Sequence, residues 1–104
     1  MVKMEYARRG RRHTLYIRGH AGYAEPGKDI VCAGVTALVY ALTGYLDGHE
    51  TLSCELQAGY AGITCEGGKD VDTAFGMAAV GLQQIAALFP EYASVSINEH
   101  GPAK

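Results

Sequence analysis

The stretch that decides the fold reads DIVCAGVTALVYALTGYLDG and spans residues 29–48. It begins with Asp29, a residue type that commonly caps the N-terminus of a helix, and continues with apolar residues at helical spacing. The pattern predicts a helix from about Ile30 to Leu46, which ends near Asp47-Gly48. Because this helix is apolar on nearly every side, we expect it to be buried on more than one face.

Short alternating segments surround this helix. Lys3 to Ala7 and Thr14 to Arg18 each alternate apolar and polar residues, which indicates two half-buried strands. The glycine-centred turn between them predicts a hairpin. After the helix, Thr51 to Ala58 and the residues around Ile63 predict a second pair of strands. Its inward side chains should be Leu52, Cys54, Leu56, Ala58, Ile63 and Cys65.

A second helix follows that pair of strands. Asp70 or Asp72 is expected to cap it, and Pro90 should end it. Its buried stripe should comprise Val71, Phe75, Ala78, Leu82, Ile85 and Phe89. A last short strand is predicted around Val95 and Ile97.

The predicted elements follow the order β-β-α-β-β-α-β. This order implies an α+β fold with a mixed, mostly antiparallel sheet and two packed helices. A length of 104 residues, with 48% hydrophobic and 19% charged residues, is typical of one globular domain. We therefore expect a single domain over residues 1–104.

The net charge of −2 argues against a general binder of nucleic acids or membrane surfaces, so we expect neither kind of partner. The N-terminal sequence lacks the apolar core of a signal peptide, and no window reaches the ~18 apolar residues of a membrane span. A cytoplasmic location is therefore expected. The arginine cluster at residues 8–12 is more often a solvated turn than a binding surface.

Three cysteines occur, at positions 32, 54 and 65. Their odd count and wide spacing argue against a disulfide framework, and the absence of CxxC argues against a zinc knuckle or a thioredoxin-like motif. The histidines, cysteines and carboxylates do not fall at metal-ligand spacing, so neither a metal nor a cofactor is expected. Cys54 and Cys65 are expected in the core, which leaves Cys32 as the thiol of interest.

Cys32 would be about the third residue of the first helix, where unpaired backbone N–H groups and the helix dipole favour a thiolate. A thiolate nucleophile needs a base, and His20 lies where the second predicted strand passes into a glycine-rich loop. The helix-start N–H groups would also stabilise an oxyanion. The plainer alternative stays open here, because a cysteine on an apolar helix is usually a core residue and a lone histidine is usually just exposed.

The loop over residues 19–29 has candidate roles of its own. Asp29 is either a helix cap or a residue that orients His20, and the two roles are compatible. Three glycines suit a loop that closes over a substrate or approaches a peptide backbone closely: Gly19, Gly22 and Gly27.

The segment GHAGYAEPGKDIVCAGVTAL, residues 19–38, resembles the ribosomal-processing cysteine protease family known as Prp. The resemblance rests on Gly-His, a glycine-bearing loop and Asp-x-Val-Cys-Ala at a helix start. It implies an endopeptidase that removes the N-terminal extension of large-subunit ribosomal protein twenty-seven during ribosome maturation. It also implies a Cys32–His20 dyad and a homodimer, and it matches Asp29 and Gly22 to the family's motif aspartate and loop glycine. Thr36 stands where many relatives have serine.

Two other functions remain to be weighed. The first is a non-catalytic, ribosome-associated binding module that uses Arg8, Arg9, Arg11 and Arg12. The second is a redox-active thiol protein, which would need a resolving cysteine close to Cys32.

Overall fold

A computed structural model of the chain describes residues 1–25 and 28–100. Within these ranges the elements are β1 (Val2–Arg9), β2 (Arg12–Arg18), α1 (Ile30–Leu46), β3 (Ser53–Gln57), β4 (Tyr60–Glu66), α2 (Lys69–Leu88) and β5 (Ala93–His100). The predicted order of elements is confirmed, and α1 has the bounds that the sequence predicts.

The strands form one sheet in the order β3-β4-β2-β1-β5. β1 pairs with β5 in parallel, while the other three pairs are antiparallel. Both predicted hairpins are present. The parallel pair arises because α2 carries the chain from β4 across the sheet to β5, a crossover that parallel strands require. The predicted mixed, mostly antiparallel sheet is thus confirmed.

Both helices pack on one face of this sheet, and the core lies between the two layers. The buried residues of α1 form a single stripe: Val31, Val35, Val39, Leu42 and Leu46. The prediction that α1 is buried on more than one face is wrong, since Tyr40 and Tyr45 are 64% and 59% exposed. The sheet and α2 cover only one side of α1, and its other side faces solvent.

β3 is an edge strand, which corrects the prediction for its side chains. Cys54 and Leu56 lie opposite buried residues of β4, so they point to the helix side of the sheet as predicted. All five residues of β3 are nevertheless exposed, because the helices do not extend over this edge. Ala58, also predicted inward, is exposed in the turn after β3. Cys65 on β4 is fully buried, as predicted.

The N-terminus of α2 also differs from the prediction. Its N-cap is Gly68, which makes no side-chain cap hydrogen bond, so neither Asp70 nor Asp72 caps the helix. Both carboxylates lie in the first turn, where the helix dipole favours them, and both contact other elements. Asp70 accepts from Nε2 of His49 at 2.8 Å, and Asp72 accepts from Arg8 at 3.2 Å.

A buried polar cluster joins β1, β2 and α2. His13 is fully buried, with Nδ1 2.6 Å from the hydroxyl of Tyr6 and Nε2 2.7 Å from a carboxylate oxygen of Asp72. Its ring stacks on Phe75 at 4.9 Å. Burial raises the pKa of Tyr6 to about 12, so the phenol keeps its proton at neutral pH. The arginine cluster at residues 8–12 was predicted to be solvated. One of its side chains, Arg8, instead contacts Asp72 of this polar cluster.

α2 is, among the described residues, the one helix long and apolar enough to cross a membrane by length and composition alone. The core helix of a globular protein passes the same test. α2 buries a stripe of side chains against the sheet: Val71, Phe75, Ala78, Ala79 and Leu82. Its length is therefore weak evidence for a membrane helix.

Candidate active site

The loop after β2 begins with glycine for a steric reason. Gly19 has a φ of +87°, and a Cβ at this position would lie 2.7 Å from the backbone oxygen of Met1. The N–H of Gly19 donates to the carbonyl of Gly59, in the turn between β3 and β4, at 2.8 Å. The start of the loop is thus fixed between the N-terminus of the chain and a neighbouring turn.

His20 lies just beyond the end of β2, with an exposed side chain. Its ring lies over Gly59, where a Cβ would be 3.0 Å from Nε2. Gly59 also has a φ of +75°, so a larger residue there would be strained as well as crowded. Gly59, in the turn between β3 and β4, therefore provides the space for this imidazole.

Cys32 is the third residue of α1 and is half-buried. The prediction that Asp29 caps this helix is confirmed, because its Oδ1 accepts the N–H of Cys32 at 2.9 Å. The backbone carbonyl of Asp29 also accepts the N–H of Ala33 at 3.0 Å. The Sγ of Cys32 has its own backbone donor in the loop, the N–H of Ala21 at 3.3 Å.

The side chains of His20 and Cys32 line one cleft of about 250 Å³. Within the described ranges, Sγ is hydrogen-bonded to the loop backbone and not to the His20 ring. One wall of the cleft is α1, which contributes Val39 and Tyr40, and the opposite wall is formed by β3 and the β3–β4 turn. Leu56 of β3, which no helix covers, is part of that wall.

A wider depression adjoins the cleft and shares these two residues with it. It is lined by the loop and by the outward face of α1, including Gly22, Asp29 and Thr36. His20 and Cys32 therefore stand where the cleft and the depression meet.

Asp29 joins the loop to the helix with both carboxylate oxygens. Oδ2 accepts the N–H of Tyr23 at 3.0 Å and that of Ala24 at 3.4 Å. The N–H of Cys32, followed by these loop N–H groups and that of Val31, lowers the pKa of Asp29. The residue is thus a carboxylate at neutral pH, and its contacts run to backbone groups of the loop and of α1.

The middle of the loop is held by aromatic packing that the sequence did not indicate. Tyr23 packs edge-on against Phe89 and Tyr92, with ring centroids 5.4 and 5.1 Å away. Gly22, just before it, has a φ of +71° and open space where a side chain would be. The third loop glycine of the prediction, Gly27, lies outside the described residues.

No group of three or more histidine, cysteine or acidic side chains that would hold a metal ion occurs in the part of the chain that the structure describes. The other two cysteines lie apart from the cleft: Cys54 is exposed on the edge strand, and Cys65 is in the core.

Comparison with known proteins gives the family. The model of the Cysteine protease Prp family matches residues 1–94. Among solved structures, SMU.848 from Streptococcus mutans is 25% identical, with a TM-score of 0.73 and 96% of each chain covered. No curated protein sequence matches the chain significantly.

Two structures of an essential ribosomal processing protease Prp from S. aureus have the same fold. One is in complex with a covalently linked product peptide and the other with a substrate peptide. They are 20% and 19% identical to this chain, with TM-scores of 0.77 and 0.74. The alignments cover 96% and 94% of this chain, and 100% of each matched chain.

The fold and the family model together define the class of protein. The chain belongs to the Cysteine protease Prp family and is a cysteine protease. The alternative of a non-catalytic binding module is therefore set aside.

Proposed function

We propose that the chain is a ribosomal-processing endopeptidase in which Cys32 is the nucleophile and His20 is the general base. One observation carries the assignment: Cys32 lines the cleft described above, and His20 lines the same cleft. Cys65 is fully buried and Cys54 lies on an exposed edge strand, so neither has the partly exposed environment typical of a catalytic thiol.

The catalytic steps follow from these positions. His20 takes the proton of Cys32, and the thiolate attacks the scissile carbonyl to form a tetrahedral intermediate. The protonated imidazole then gives its proton to the leaving amine, which leaves a thioester on Sγ. A water molecule, deprotonated by His20, hydrolyses the thioester and restores the enzyme.

The exposed side chain of His20 turns toward Sγ of Cys32 when substrate binds. In the free protein the ring of His20 lies over Gly59, and Sγ is held by the N–H of Ala21. Catalytic hydrogen bonds are often long in free enzymes and tighten in the complex. The positive φ of Gly22, with open space around it, supports a loop that adjusts at this point.

The substrate is an extended segment that lies along the cleft. The inner face of β3 is uncovered, and Leu56 with Val39 and Tyr40 gives the cleft an apolar lining. An extended peptide presents side chains alternately, so it would place apolar groups against this wall and its backbone near Sγ. We assign the substrate as the N-terminal extension of large-subunit ribosomal protein twenty-seven, in the cytoplasm. The resemblance of residues 19–38 and the two S. aureus peptide complexes support this assignment.

The cleavage assay uses the precursor ribosomal protein, with the product measured by intact mass. Cys32→Ala and Cys32→Ser should abolish cleavage while the far-ultraviolet circular dichroism stays unchanged. The matched control is Cys54→Ser, which removes an exposed thiol outside the cleft and should cleave at the normal rate. Full activity of Cys32→Ala would refute the dyad.

We also propose that the whole chain is one protease domain and that it forms a homodimer. The support lies in apolar side chains on the outer faces of the helices, where Tyr45 is 59% and Met77 68% exposed beside a groove between α1 and α2. The chain has a mass of 11.1 kDa, and sedimentation analysis should give about twice this mass. Met77→Glu should shift the species toward the monomer.

A further inference from the structure

The N–H groups at the start of α1 are already engaged. The sequence predicted that they would stabilise the oxyanion, but the N–H of Cys32 donates to Oδ1 of Asp29 and that of Ala33 to its backbone carbonyl. A hydrogen bond to an ionised carboxylate is among the stronger ones in proteins, so these donors are poorly available to a substrate oxygen.

One backbone donor beside the nucleophile is not used by the helix cap. The N–H of Ala21 points at Sγ of Cys32 from a distance of 3.3 Å. When Sγ attacks a carbonyl, the oxygen that gains the charge is bonded to the same carbon as Sγ. A donor that contacts Sγ in the free enzyme is therefore next to the developing oxyanion, and its former acceptor loses negative charge in the same step.

This donor is also fixed in place before the substrate arrives. The side chain of Ala21 is only 3% exposed and belongs to the hydrophobic core. On one side Gly19 is bonded to the β3–β4 turn, and on the other Tyr23 is held by aromatic packing and by Asp29. A preorganised donor needs no reorientation at the moment of reaction, which is the property that makes an oxyanion hole effective.

We propose that the backbone N–H of Ala21 is the oxyanion donor of this protease, which makes Ala21 a catalytic residue; this rests on the proposed dyad. As the Sγ–C bond forms, the electron pair of the carbonyl moves to oxygen, and that oxygen accepts the N–H of Ala21. The proton of Cys32 is then on His20. Reformation of the carbonyl expels the amine, which takes that proton, and the N–H of Ala21 is released.

The test is an amide-to-ester change in the backbone at Ala21, which removes the N–H and keeps the methyl side chain. Chemical ligation at Cys32 joins residues 1–31, made with lactic acid at position 21, to residues 32–104 and gives the full chain. We expect kcat for a precursor peptide to fall about 100- to 1,000-fold with KM little changed, as for other single oxyanion donors. The matched control carries the ester at Gly10, in the turn between β1 and β2 and outside the cleft, and should stay within a few-fold of the all-amide protein.

A second readout separates this role from a simple effect on the thiol. The rate at which iodoacetamide modifies Cys32, measured across pH, depends on the thiolate and not on an oxyanion. We expect the ester at Ala21 to change that profile far less than it changes kcat. An equal loss in both, or an unchanged kcat, would overturn the proposal. Cleavage by Cys32→Ala, in contrast, would overturn the proposed dyad.

Nuclear magnetic resonance of the unmodified protein tests the same point if the ester variant folds poorly. A peptide aldehyde forms a tetrahedral adduct with Sγ. The amide proton of Ala21 should then shift downfield, while that of Cys32, held by Asp29, should stay near its free position. A shift of Cys32 without a shift of Ala21 would contradict the assignment.

Discussion

The N–H of Cys32 donates to Oδ1 of Asp29 at 2.9 Å, so the residue that begins α1 also fixes the backbone of the proposed nucleophile. The other oxygen of the same carboxylate holds the loop that carries His20. One side chain therefore sets the positions of both halves of the proposed dyad. Its loss should affect catalysis and stability to different extents.

Asp29→Ala should lower the free energy of unfolding by about 1 kcal/mol, the usual effect of losing an N-cap. Cleavage should fall further than this loss of stability explains, because the loop loses its tie to the helix. Asp29→Asn keeps an acceptor for Cys32 and should retain more activity than Asp29→Ala. Urea denaturation and the precursor assay measure the two effects, and equal activity of the two variants would contradict the role of the cap.

Tyr23 should act as a positioning residue through its ring. Tyr23→Ala removes two edge-on aromatic contacts, each worth about 0.5–1.5 kcal/mol beyond burial, and frees the middle of the loop. We expect kcat to fall about tenfold or more with a smaller change in KM. Tyr23→Phe keeps the ring and should restore nearly normal kinetics. If Phe and Ala behave alike, the packing of the ring does not position the loop.

The cluster around His13 should contribute to stability and not to catalysis. His13→Ala leaves the hydroxyl of Tyr6 and the carboxylate of Asp72 without their buried partner, so unfolding should become easier by about 3 kcal/mol. Tyr6→Phe, which removes only the hydroxyl, should have a smaller effect of about 1 kcal/mol. Guanidinium denaturation gives both values. Below the unfolding midpoint, kcat per folded molecule should remain unchanged, and a large drop in kcat would contradict this assignment.

His49 should make stability depend on pH near neutrality. Its hydrogen bonds to Asp70 and to the carbonyl of Leu46 raise its pKa above 6.5, and its contact lowers the pKa of Asp70 below 3.8. The contribution of His49 is therefore complete below pH 6.5 and is lost as pH rises through the higher folded pKa. That of Asp70 is complete above pH 3.8 and is lost as pH falls through its lower folded pKa.

Urea titrations of the normal chain and of His49→Gln should thus differ most between about pH 4 and 6.5 and converge above neutrality. The stability curve of Asp70→Asn should also converge with that of the normal chain above neutrality, because this variant removes the same contact between His49 and Asp70. If the unfolding free energies of the normal chain and of His49→Gln stay parallel from pH 5 to pH 9, the contact between His49 and Asp70 does not cause the pH dependence.

The sequence predicted the parts of the fold that depend on local periodicity. The bounds of α1 and the cap at Asp29 follow from a capping residue before an apolar run, and both are confirmed. The burial of Cys54 was predicted wrongly, since alternation shows which way a side chain points and not whether a helix covers it. The cap of α2 was also wrong, because Asp70 and Asp72 are engaged by residues distant in sequence.

In the candidate site, too, some features could be predicted from the sequence and others could not. A histidine, a cysteine and an aspartate were selected because their residue types carry chemistry. Ala21, Gly59 and the Tyr23 packing were missed, because their contributions are a backbone N–H, an absent side chain and contacts to residues more than 60 positions away. These features depend on tertiary structure, and no local pattern in the sequence marks them.

The uncovered edge strand β3 gives the cleft a wall of low local stability. β3 pairs only with β4 and has all its residues exposed, so it can separate from the sheet without disturbing the layer between the sheet and the two helices. Hydrogen exchange of its amides should consequently be faster than that of β1 and β2. The cleft can thus widen to admit a peptide by local opening of β3. The rest of the domain stays folded during this opening.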